Sequence, residues 1–241
     1  NTLSNQSNQS VWYFMNNPKI TAFLPCRKGS QRVPKKNIKP FAGFEFGLIQ
    51  IKLKQLIEAN NVDKIVLSTN DDKILDYAAS LQNDKIITHK RVELLSSSET
   101  STDDLVAHAL DLIPQGHILW THVTSPFVNA KLYDKIIQQY RSALLDDYDS
   151  LMTTNLIHGF IWDENGPINY DRTLEKWPRT QTIKPLHEIN SAVFLSSSEN
   201  YYNANDRIGE KPFLYVLDKI QSFDIDWEED YKIAEMIQIS L

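Results

Sequence analysis

Short apolar runs alternate with amphipathic segments along most of the chain. Residues 20–24 and 64–69 are mostly apolar, which is typical of strands that are buried on both faces of a parallel sheet. Between them, the apolar side chains of residues 47–60 recur near the spacing of a helix. The pattern therefore predicts a strand, a helix and a second strand, in that order.

The same alternation continues to about residue 154. It predicts further helices at 71–81, 103–112 and 131–145, which alternate with strands at 85–88, 117–121 and 150–154. Asn70 is a candidate N-cap for the first of these helices, and Ser101 or Thr102 for the second. Such alternation favours an α/β fold with a mostly parallel sheet and helices on both faces.

The rhythm changes at about residue 155. Residues 158–188 are richer in Pro, Trp, Tyr and Asn and show weak periodicity. We interpret a segment of about 156–189 as an inserted lobe, either an interface arm or a lid. The α/β pattern then returns, with strands predicted at 191–195 and 213–217 and a final helix at 227–239.

These elements are interpreted as a single domain, residues 19–241, that carries the inserted lobe. Residues 1–18 are interpreted as an N-terminal extension, because the first ten are polar and Met15 is a candidate natural start. The polar start lacks the charged-then-apolar order of a secretion signal. No apolar run approaches the ~20 residues that a membrane helix needs, so no membrane partner is expected.

Composition narrows the function classes. The net charge is −6, from 31 acidic and 25 basic residues, whereas general nucleic-acid binders are more often basic. A nucleic-acid partner is therefore not expected. Cys26 is the only cysteine, which excludes an intrachain disulfide and fits a cytoplasmic location.

A basic loop follows the first predicted strand. Residues 25–37 read PCRKGSQRVPKKN, with five cations between Arg27 and Asn37. Gly29 and Ser30 allow backbone N–H groups to face an anion, Arg27 offers paired donors, and Lys36 offers a compact charge. The loop matches neither GxxxxGK[ST] nor GxGxxG, and by composition alone a solvated basic loop is an equal alternative.

The loops after residues 24, 68 and 120 all follow strands. Because ligands of open α/β sheets bind beyond the carboxyl ends of the strands, we expect these loops to meet at one crevice.

The basic loop resembles the signature loop of the CMP-sialic acid synthetase family. Further segments that resemble elements of that family, in the same order, are VLSTND at 66–71, R.EL at 91–94, Ser101-Thr102, HAL at 108–110, THVTSP at 121–126, RTQ at 179–181, NSA at 190–192 and FDID at 223–226. The resemblance implies a three-layer Rossmann-like nucleotidyltransferase fold with a small inserted dimerisation lobe, and hence a homodimer.

The resemblance also implies roles for individual residues. Arg27 and Lys36 are the expected catalytic cations. The expected nucleotide-binding residues are Arg27, Gly29, Ser30, Lys36, Asn37, Arg91, Ser101 and Thr102. The expected sugar-binding residues are His122, Ser125, Arg179, Gln181 and Asn190. Asp224 and Asp226 are the expected Mg²⁺ ligands, and on a strand they would point to the same face.

The implied reaction transfers CMP from CTP to the anomeric hydroxyl of an acidic keto-sugar of the sialic-acid type and releases pyrophosphate. Three positions depart from the family pattern: Gln31 stands where a Lys is usual, His122 where a sugar-facing Gln is usual, and Val123 where a Pro is usual. Arg32 or Lys35 is the candidate to replace the phosphate-facing charge that is missing at Gln31. Two alternatives stay open: a cytidylyltransferase for 3-deoxy-manno-octulosonate, and a catalytically silent module that binds a nucleotide sugar.

Overall fold

A computed structural model describes residues 18–30, 32–97 and 99–241. Its strands are β1 (Ile20–Pro25), β2 (Lys64–Thr69), β3 (Ile86–Lys90), β4 (His117–Thr121), β5 (Ser150–Ile157), β6 (Trp162–Asp163), β7 (Gly166–Pro167), β8 (Leu186–Ser197) and β9 (Pro212–Val216). Its helices of eight residues or more are α1 (Gly47–Glu58), α2 (Asp72–Ser80), α3 (Thr102–Leu112), α4 (Ala130–Leu145) and α6 (Glu228–Ser240). Two shorter helical segments are α5 (Ser198–Ala204) and a 3₁₀ turn at Glu93–Ser96.

Seven strands form one sheet in the order β3-β2-β1-β4-β8-β5-β9. Strands β1 to β4 pair in parallel, and β5 pairs in parallel with β9. Only β8 among the seven runs antiparallel to its neighbours, β4 and β5. The prediction of a mostly parallel α/β sheet is therefore confirmed.

Alternate residues of the central strands enter two separate apolar clusters. On β4, Leu119 packs with α1, α2, α4 and α6, whereas Trp120 packs with α3 and α5. The period of two in a strand sends neighbouring side chains to opposite faces, so the two clusters are the two faces of the sheet. The result is the predicted arrangement of three layers.

Side chains fix the starts of two helices near the sheet edge. Asp71 caps α2 by accepting a hydrogen bond from the backbone N–H of Lys73 at 3.0 Å. The prediction that Asn70 is this N-cap was wrong. Ser101 caps α3, and its hydroxyl accepts from the backbone N–H of Asp104 at 3.0 Å.

The segment between β5 and β8 leaves the main sheet. A register shift between Met152 and Thr154 separates the central part of the β5–β8 pair from a two-stranded extension that ends at Ile157 and Leu186. Beyond it lies a small hairpin of β6 and β7, with an aromatic group of Phe160, Trp162, Tyr170 and Trp177 around Arg172. Within the described residues, no helix is both long enough and apolar enough to cross a bilayer.

Candidate active site

Loops from several strands meet at the carboxyl edge of the sheet, as expected. One cavity of about 370 Å³ lies between the loop after β1, Arg91 after β3, and residues 122–124 after β4. A second cavity of about 520 Å³ lies between the loop after β1 and residues 71–73 at the start of α2. Four residues line both cavities: Arg27, Ser30, Lys36 and Asn37.

The loop after β1 is held by three hydrogen bonds to its backbone groups. The N–H of Cys26 donates to the carbonyl of Ser68 at 3.0 Å, and the N–H of Lys28 donates to Oδ1 of Asn70 at 2.8 Å. Nδ2 of Asn37 donates to the carbonyl of Arg27 at 3.0 Å and closes the loop. Gly29 has a φ of +83°, a conformation that favours glycine.

Lys36 turns inward from this loop and is only 9% exposed. Its Nζ donates to the carbonyl of Ile225 at 2.6 Å and lies 4.0 Å from Oδ1 of Asp226. Burial lowers the pKa of Lys36, and the nearby carboxylates of Asp226 and Asp224 oppose that shift. Lys36 is thus a cation fixed between the basic loop and the acidic pair.

The acidic pair lies outside any strand, in the irregular segment before α6, so the expectation of a strand there was wrong. Oδ1 of Asp224 is buried and has no hydrogen-bond partner among the described residues. Burial raises the pKa of Asp224, Asp226 raises it further, and the Thr124 hydroxyl partly offsets the shift. Asp230 accepts from the backbone N–H groups of Asp226 and Trp227, at 3.0 and 2.7 Å, and so fixes the segment.

These two carboxylates fit a hard divalent cation. A buried carboxylate oxygen without a partner, beside a second carboxylate, is the kind of oxygen donor that Mg²⁺ takes. In the described part of the chain, no group of three or more His, Cys, Asp or Glu side chains is arranged to hold a metal. A cation at Asp224 and Asp226 would therefore need further oxygen ligands from phosphate or water.

Asp226 is also paired with Arg32, one of the two candidates to replace the charge that is missing at Gln31. Nη2 of Arg32 lies 3.2 Å from Oδ1 of Asp226, with both side chains about half exposed. Arg32 lines the 370 Å³ cavity, whereas Lys35 lines the 520 Å³ cavity. Gln31, the departure from the family pattern, lies outside the described residues.

Arg91 lies at the floor of the 370 Å³ cavity and is 3% exposed. Its Nη2 donates to the carbonyl of Cys26 at 3.0 Å, and its Nε donates to Oγ of Ser96 at 3.1 Å. Burial lowers the pKa of Arg91. Ser101 and Thr102 are exposed at the start of α3 and line neither cavity.

His122 lines the same cavity with one ring nitrogen already engaged. The indole N–H of Trp120 donates to Nε2 of His122 at 3.0 Å. Enclosure by protein atoms lowers the pKa of His122 to about 3, and the positive charges of Arg207, Lys52 and Lys36 add to the shift. The imidazole is therefore neutral, with its proton on Nδ1.

The other expected sugar-binding residues do not line either cavity. Ser125 is 2% exposed. Asn190 is buried, and its side chain bonds Thr153 and Asn155 at 2.6 and 2.9 Å. Arg179 and Gln181 are exposed in the segment between β5 and β8.

Several residues at the two cavities were missed by the sequence analysis. Asn70 was interpreted as helix-start chemistry, yet its side chain bonds the loop after β1 and also Glu93. The available signal was its position directly after β2, at the edge where ligands of parallel sheets bind. The missed residues that line a cavity or hold one in place are Asn70, Asp71, Asp72, Lys73, Trp120 and Thr124.

Comparison with curated proteins gives relatives of one chemical type. The chain is 25% identical over 222 residues to an N-acylneuraminate cytidylyltransferase of Streptococcus agalactiae serotype V, covering 88% of this chain and 52% of the relative. It is 23% identical over 226 residues to a pseudaminic acid cytidylyltransferase of Campylobacter jejuni, covering 91% and 96%. The chain thus spans about half the length of the N-acylneuraminate relatives that it matches.

Comparison with solved structures gives the same fold. A 4-diphosphocytidyl-2C-methyl-D-erythritol synthase from Anaerococcus prevotii aligns with a TM-score of 0.66 and 16% identity, covering 93% of this chain and 97% of that one. A CMP:2-keto-3-deoxy-manno-octonic acid synthetase complexed with CTP aligns with a TM-score of 0.63 and 14% identity, covering 92% and 99%.

The family described as Cytidylyltransferase matches residues 21–239, which is nearly all of the chain that the structure describes. The chain therefore belongs to the cytidylyltransferase family, a family of nucleotidyltransferase enzymes.

Proposed function

We propose that the protein transfers CMP from CTP to the anomeric hydroxyl of an acidic keto-sugar and releases pyrophosphate. One observation carries the proposal: the buried Lys36 joins the basic loop to the acidic pair at the edge of the sheet where ligands bind. The relatives named for N-acylneuraminate and pseudaminic acid support an acidic nine-carbon sugar as the acceptor.

In the proposed reaction, the anomeric hydroxyl gives up its proton to solvent as its oxygen forms a bond to the α-phosphorus of CTP. The bond from that phosphorus to the oxygen that bridges the α and β phosphates breaks, and pyrophosphate leaves. Arg27 and Lys36 would offset charge on the reacting phosphate and on the leaving group, so that catalysis rests on positioning and electrostatics.

Mg²⁺ is the proposed cofactor, held by Asp224 and Asp226, and when bound it would offset phosphate charge as a Lewis acid. The support is the partnerless buried oxygen of Asp224 next to a second carboxylate. Arg32 pairs with Asp226 at 3.2 Å, and we expect it to turn toward phosphate when nucleotide binds.

Nucleotide binding is proposed for Arg27, Gly29, Ser30, Lys36, Asn37 and Arg91, which line the two cavities. Ser101 is proposed to act only as the cap of α3, with Thr102 as its first helical residue. On the sugar side, His122 is the proposed direct contact. Ser125 would act by holding the backbone at His122, and Asn190 by fixing β5 and β8 through its bonds to Thr153, Asn155 and Ala192.

Arg179 and Gln181 remain proposed contacts of the sugar, with Arg179 facing its carboxylate. Because neither lines a cavity of the single chain, this role requires the inserted segment to serve as a lid or as an interface arm. We propose that the protein is a homodimer through this segment, whose exposed Trp162 and Trp177 offer apolar surface. The single buried cysteine supports a proposed cytoplasmic location.

The test is pyrophosphate release from CTP and Mg²⁺ against a panel of keto-sugar acids: N-acetylneuraminate, pseudaminate, legionaminate and 3-deoxy-manno-octulosonate. Release with one sugar, abolished by Asp226→Ala, supports the proposed reaction and names the acceptor. A folded protein that binds CTP and releases no pyrophosphate with any of them points instead to the silent binding module. Light scattering that shows only a monomer of 27.8 kDa would contradict the proposed homodimer.

A further inference from the structure

Lys52 is a lysine of helix α1 that is 0% exposed. Its Nζ donates to the carbonyl of Ser125 at 2.8 Å and to the hydroxyl of Tyr133 at 2.8 Å, and it lies 5.0 Å from the centre of the Tyr133 ring. Within the described residues, no carboxylate lies within 4.0 Å of it. Burying an ammonium without a carboxylate is unfavourable, so the burial of Lys52 calls for a structural role.

The hydrogen bonds that start at Lys52 have a fixed direction. The hydroxyl of Thr121 donates to the carbonyl of Ala192 at 2.8 Å, so it must accept from the hydroxyl of Tyr133 at 2.7 Å. Tyr133 in turn accepts from Lys52. One ordered chain therefore connects α1, α4, β4 and β8 beneath the carboxyl edge of the sheet.

The backbone that Lys52 holds is the loop after β4, between Thr121 and Ser125. This loop carries His122 and Thr124, which line the 370 Å³ cavity. The carbonyl of Thr124 accepts from the N–H of Ile225 at 2.9 Å. Ile225 lies between the two acidic residues, and its carbonyl accepts from Lys36. The loop thus connects Lys52 to the acidic pair through two backbone carbonyls: that of Ser125, which accepts from Lys52, and that of Thr124, which accepts from Ile225.

We propose that Lys52 is a positioning residue for the reaction: it fixes the loop after β4, and so sets where His122 and the segment 224–226 stand relative to Lys36. Its effect on catalysis rests on the proposed function, whereas its effect on the loop does not. A lysine suits the task because one extended side chain reaches a backbone carbonyl and a hydroxyl on two different elements.

The central variant is Lys52→Met, which keeps the apolar length of the side chain and removes both donors. Lys54→Met, an exposed neighbour on the same helix, is the matched control. Tyr133→Phe is a second variant, because it leaves the bond from Lys52 to Ser125 and cuts the connection to Thr121. Melting temperature and hydrogen exchange of the peptide 121–126 are measured for each, along with pyrophosphate release at varied CTP and sugar.

For a folded Lys52→Met protein we expect kcat to fall at least 10-fold, KM for CTP to change less than about threefold, and exchange of 121–126 to become faster. The KM for CTP is expected to hold because Lys52 donates its two hydrogen bonds to the loop after β4 and to Tyr133, whereas the cations of the nucleotide site belong to the loop after β1. The control should match the wild type in all three. A folded Lys52→Met protein whose kcat stays within twofold of the wild type would overturn the proposal.

If Lys52→Met does not fold, Lys52→Leu, a shorter apolar side chain that also removes both donors, decides by the same limits on kcat and on the KM for CTP, and Tyr133→Phe shows how much of the effect passes through Thr121. If the wild type itself releases no pyrophosphate with any sugar, the proposed function fails and the exchange experiment decides alone. Faster exchange of 121–126 in the folded variants supports the positioning role, and unchanged exchange contradicts it.

Discussion

The indole N–H of Trp120 donates to Nε2 of His122 across a distance of 3.0 Å. An indole N–H can only donate, so Nε2 carries a lone pair and the single proton of the neutral ring is on Nδ1. The position where relatives of the CMP-sialic acid synthetase type carry a Gln thus holds a ring whose tautomer is set by its own strand. His122 can offer the site a donor without offering a charge.

Replacing Trp120 by Phe should release that constraint. The variant keeps an aromatic ring against Phe23 and removes the N–H. We expect the pKa of His122 to rise because the lost hydrogen bond favoured the neutral form, and to stay below its ordinary value because burial and the charges of Arg207, Lys52 and Lys36 remain. NMR of protein with ¹⁵N-labelled histidine measures both the pKa and the tautomer.

The same variant should raise the KM for the sugar about 5- to 30-fold. With its tautomer no longer fixed, His122 would lose the hydrogen bond that it is proposed to donate to the sugar, which is worth about 1–2 kcal/mol. The KM for CTP should not change. Tyr202→Phe, at an exposed aromatic residue that lines neither cavity, is the control. Finding the proton on Nε2 in the wild type would contradict the assignment.

Asp224→Asn should separate stability from activity. Burial raises the pKa of Asp224 above its unfolded value of about 3.9, so above about pH 4 the folded protein pays to ionise this group. The variant should therefore be at least as stable as the wild type at pH 7, and the difference should vanish as the pH falls below 4. Pyrophosphate release should drop by 100-fold or more, because the variant loses a carboxylate that would hold the proposed Mg²⁺, and with it the positive charge that offsets the phosphates.

Magnesium provides a second measurement on the same pair. Millimolar Mg²⁺ with CTP should raise the melting temperature of the wild type more than that of Asp224→Asn. Glu229→Gln, which removes an exposed acid in the first turn of α6, should behave like the wild type. Equal shifts in all three proteins would argue against a cation at Asp224.

Much of the fold follows from the pattern of apolar residues alone. Strands β2 and β4 have the bounds that the sequence predicts, because their apolar runs end sharply at polar residues. Strand β8 is longer than predicted, since its exposed first residues pair only with the extension of β5. That pairing is a tertiary contact, so the local sequence pattern does not predict it.

The site was predictable where a loop lies directly after a strand, and less so elsewhere. Arg27, Lys36, Arg91 and His122 meet because parallel strands bring their carboxyl ends to one edge. Lys52 gave no such signal: a lysine at helical spacing ordinarily extends into solvent. Its burial depends on Ser125 and Tyr133, which are 73 and 81 residues away along the chain.

Arg32 and Lys35 both stand near the departure at Gln31, and the structure distinguishes them. Arg32 lines the cavity with His122 and pairs with Asp226, whereas Lys35 lines the other cavity. Arg32→Gln should lower kcat/KM for CTP about 10-fold or more, and Lys35→Gln should lower it less. Because the Arg32 pair is half exposed, the free energy of unfolding should change by less than about 1 kcal/mol. Urea unfolding and steady-state kinetics measure the two effects, and a larger kinetic loss in Lys35→Gln would reverse the assignment.

Asn70 holds the basic loop through its bond to the N–H of Lys28. Asn70→Ala should weaken CTP binding about 5- to 30-fold, because the loop loses a contact worth about 1–2 kcal/mol that keeps its cations in place. Asn83→Ala is a matched control: the Asn83 side chain also accepts from a lysine backbone N–H, that of Lys85, away from both cavities. Calorimetric titration with CTP should show weaker binding only for Asn70→Ala, and equal losses in both variants would mean that the effect is general destabilisation.

Lys52 should make stability depend on pH in a direction opposite to that of Asp224. Burial lowers its pKa to about 7, whereas in the unfolded chain it is about 10.4. Between these values the unfolded chain binds the extra proton, so the free energy of unfolding rises with pH, by up to about 1.4 kcal/mol per unit. The groups that face Lys52 do not titrate in this window, since the pKa of Tyr133 is raised above it and that of His122 lies near 3.

Lys52→Met lacks the titrating group. In urea unfolding, the free energy of unfolding of the wild type should therefore rise relative to that of Lys52→Met from pH 7 to pH 9, while the difference between the wild type and Lys54→Met should stay constant. A flat difference for Lys52→Met as well would mean that Ser125 and Tyr133 suffice to keep the buried ammonium charged.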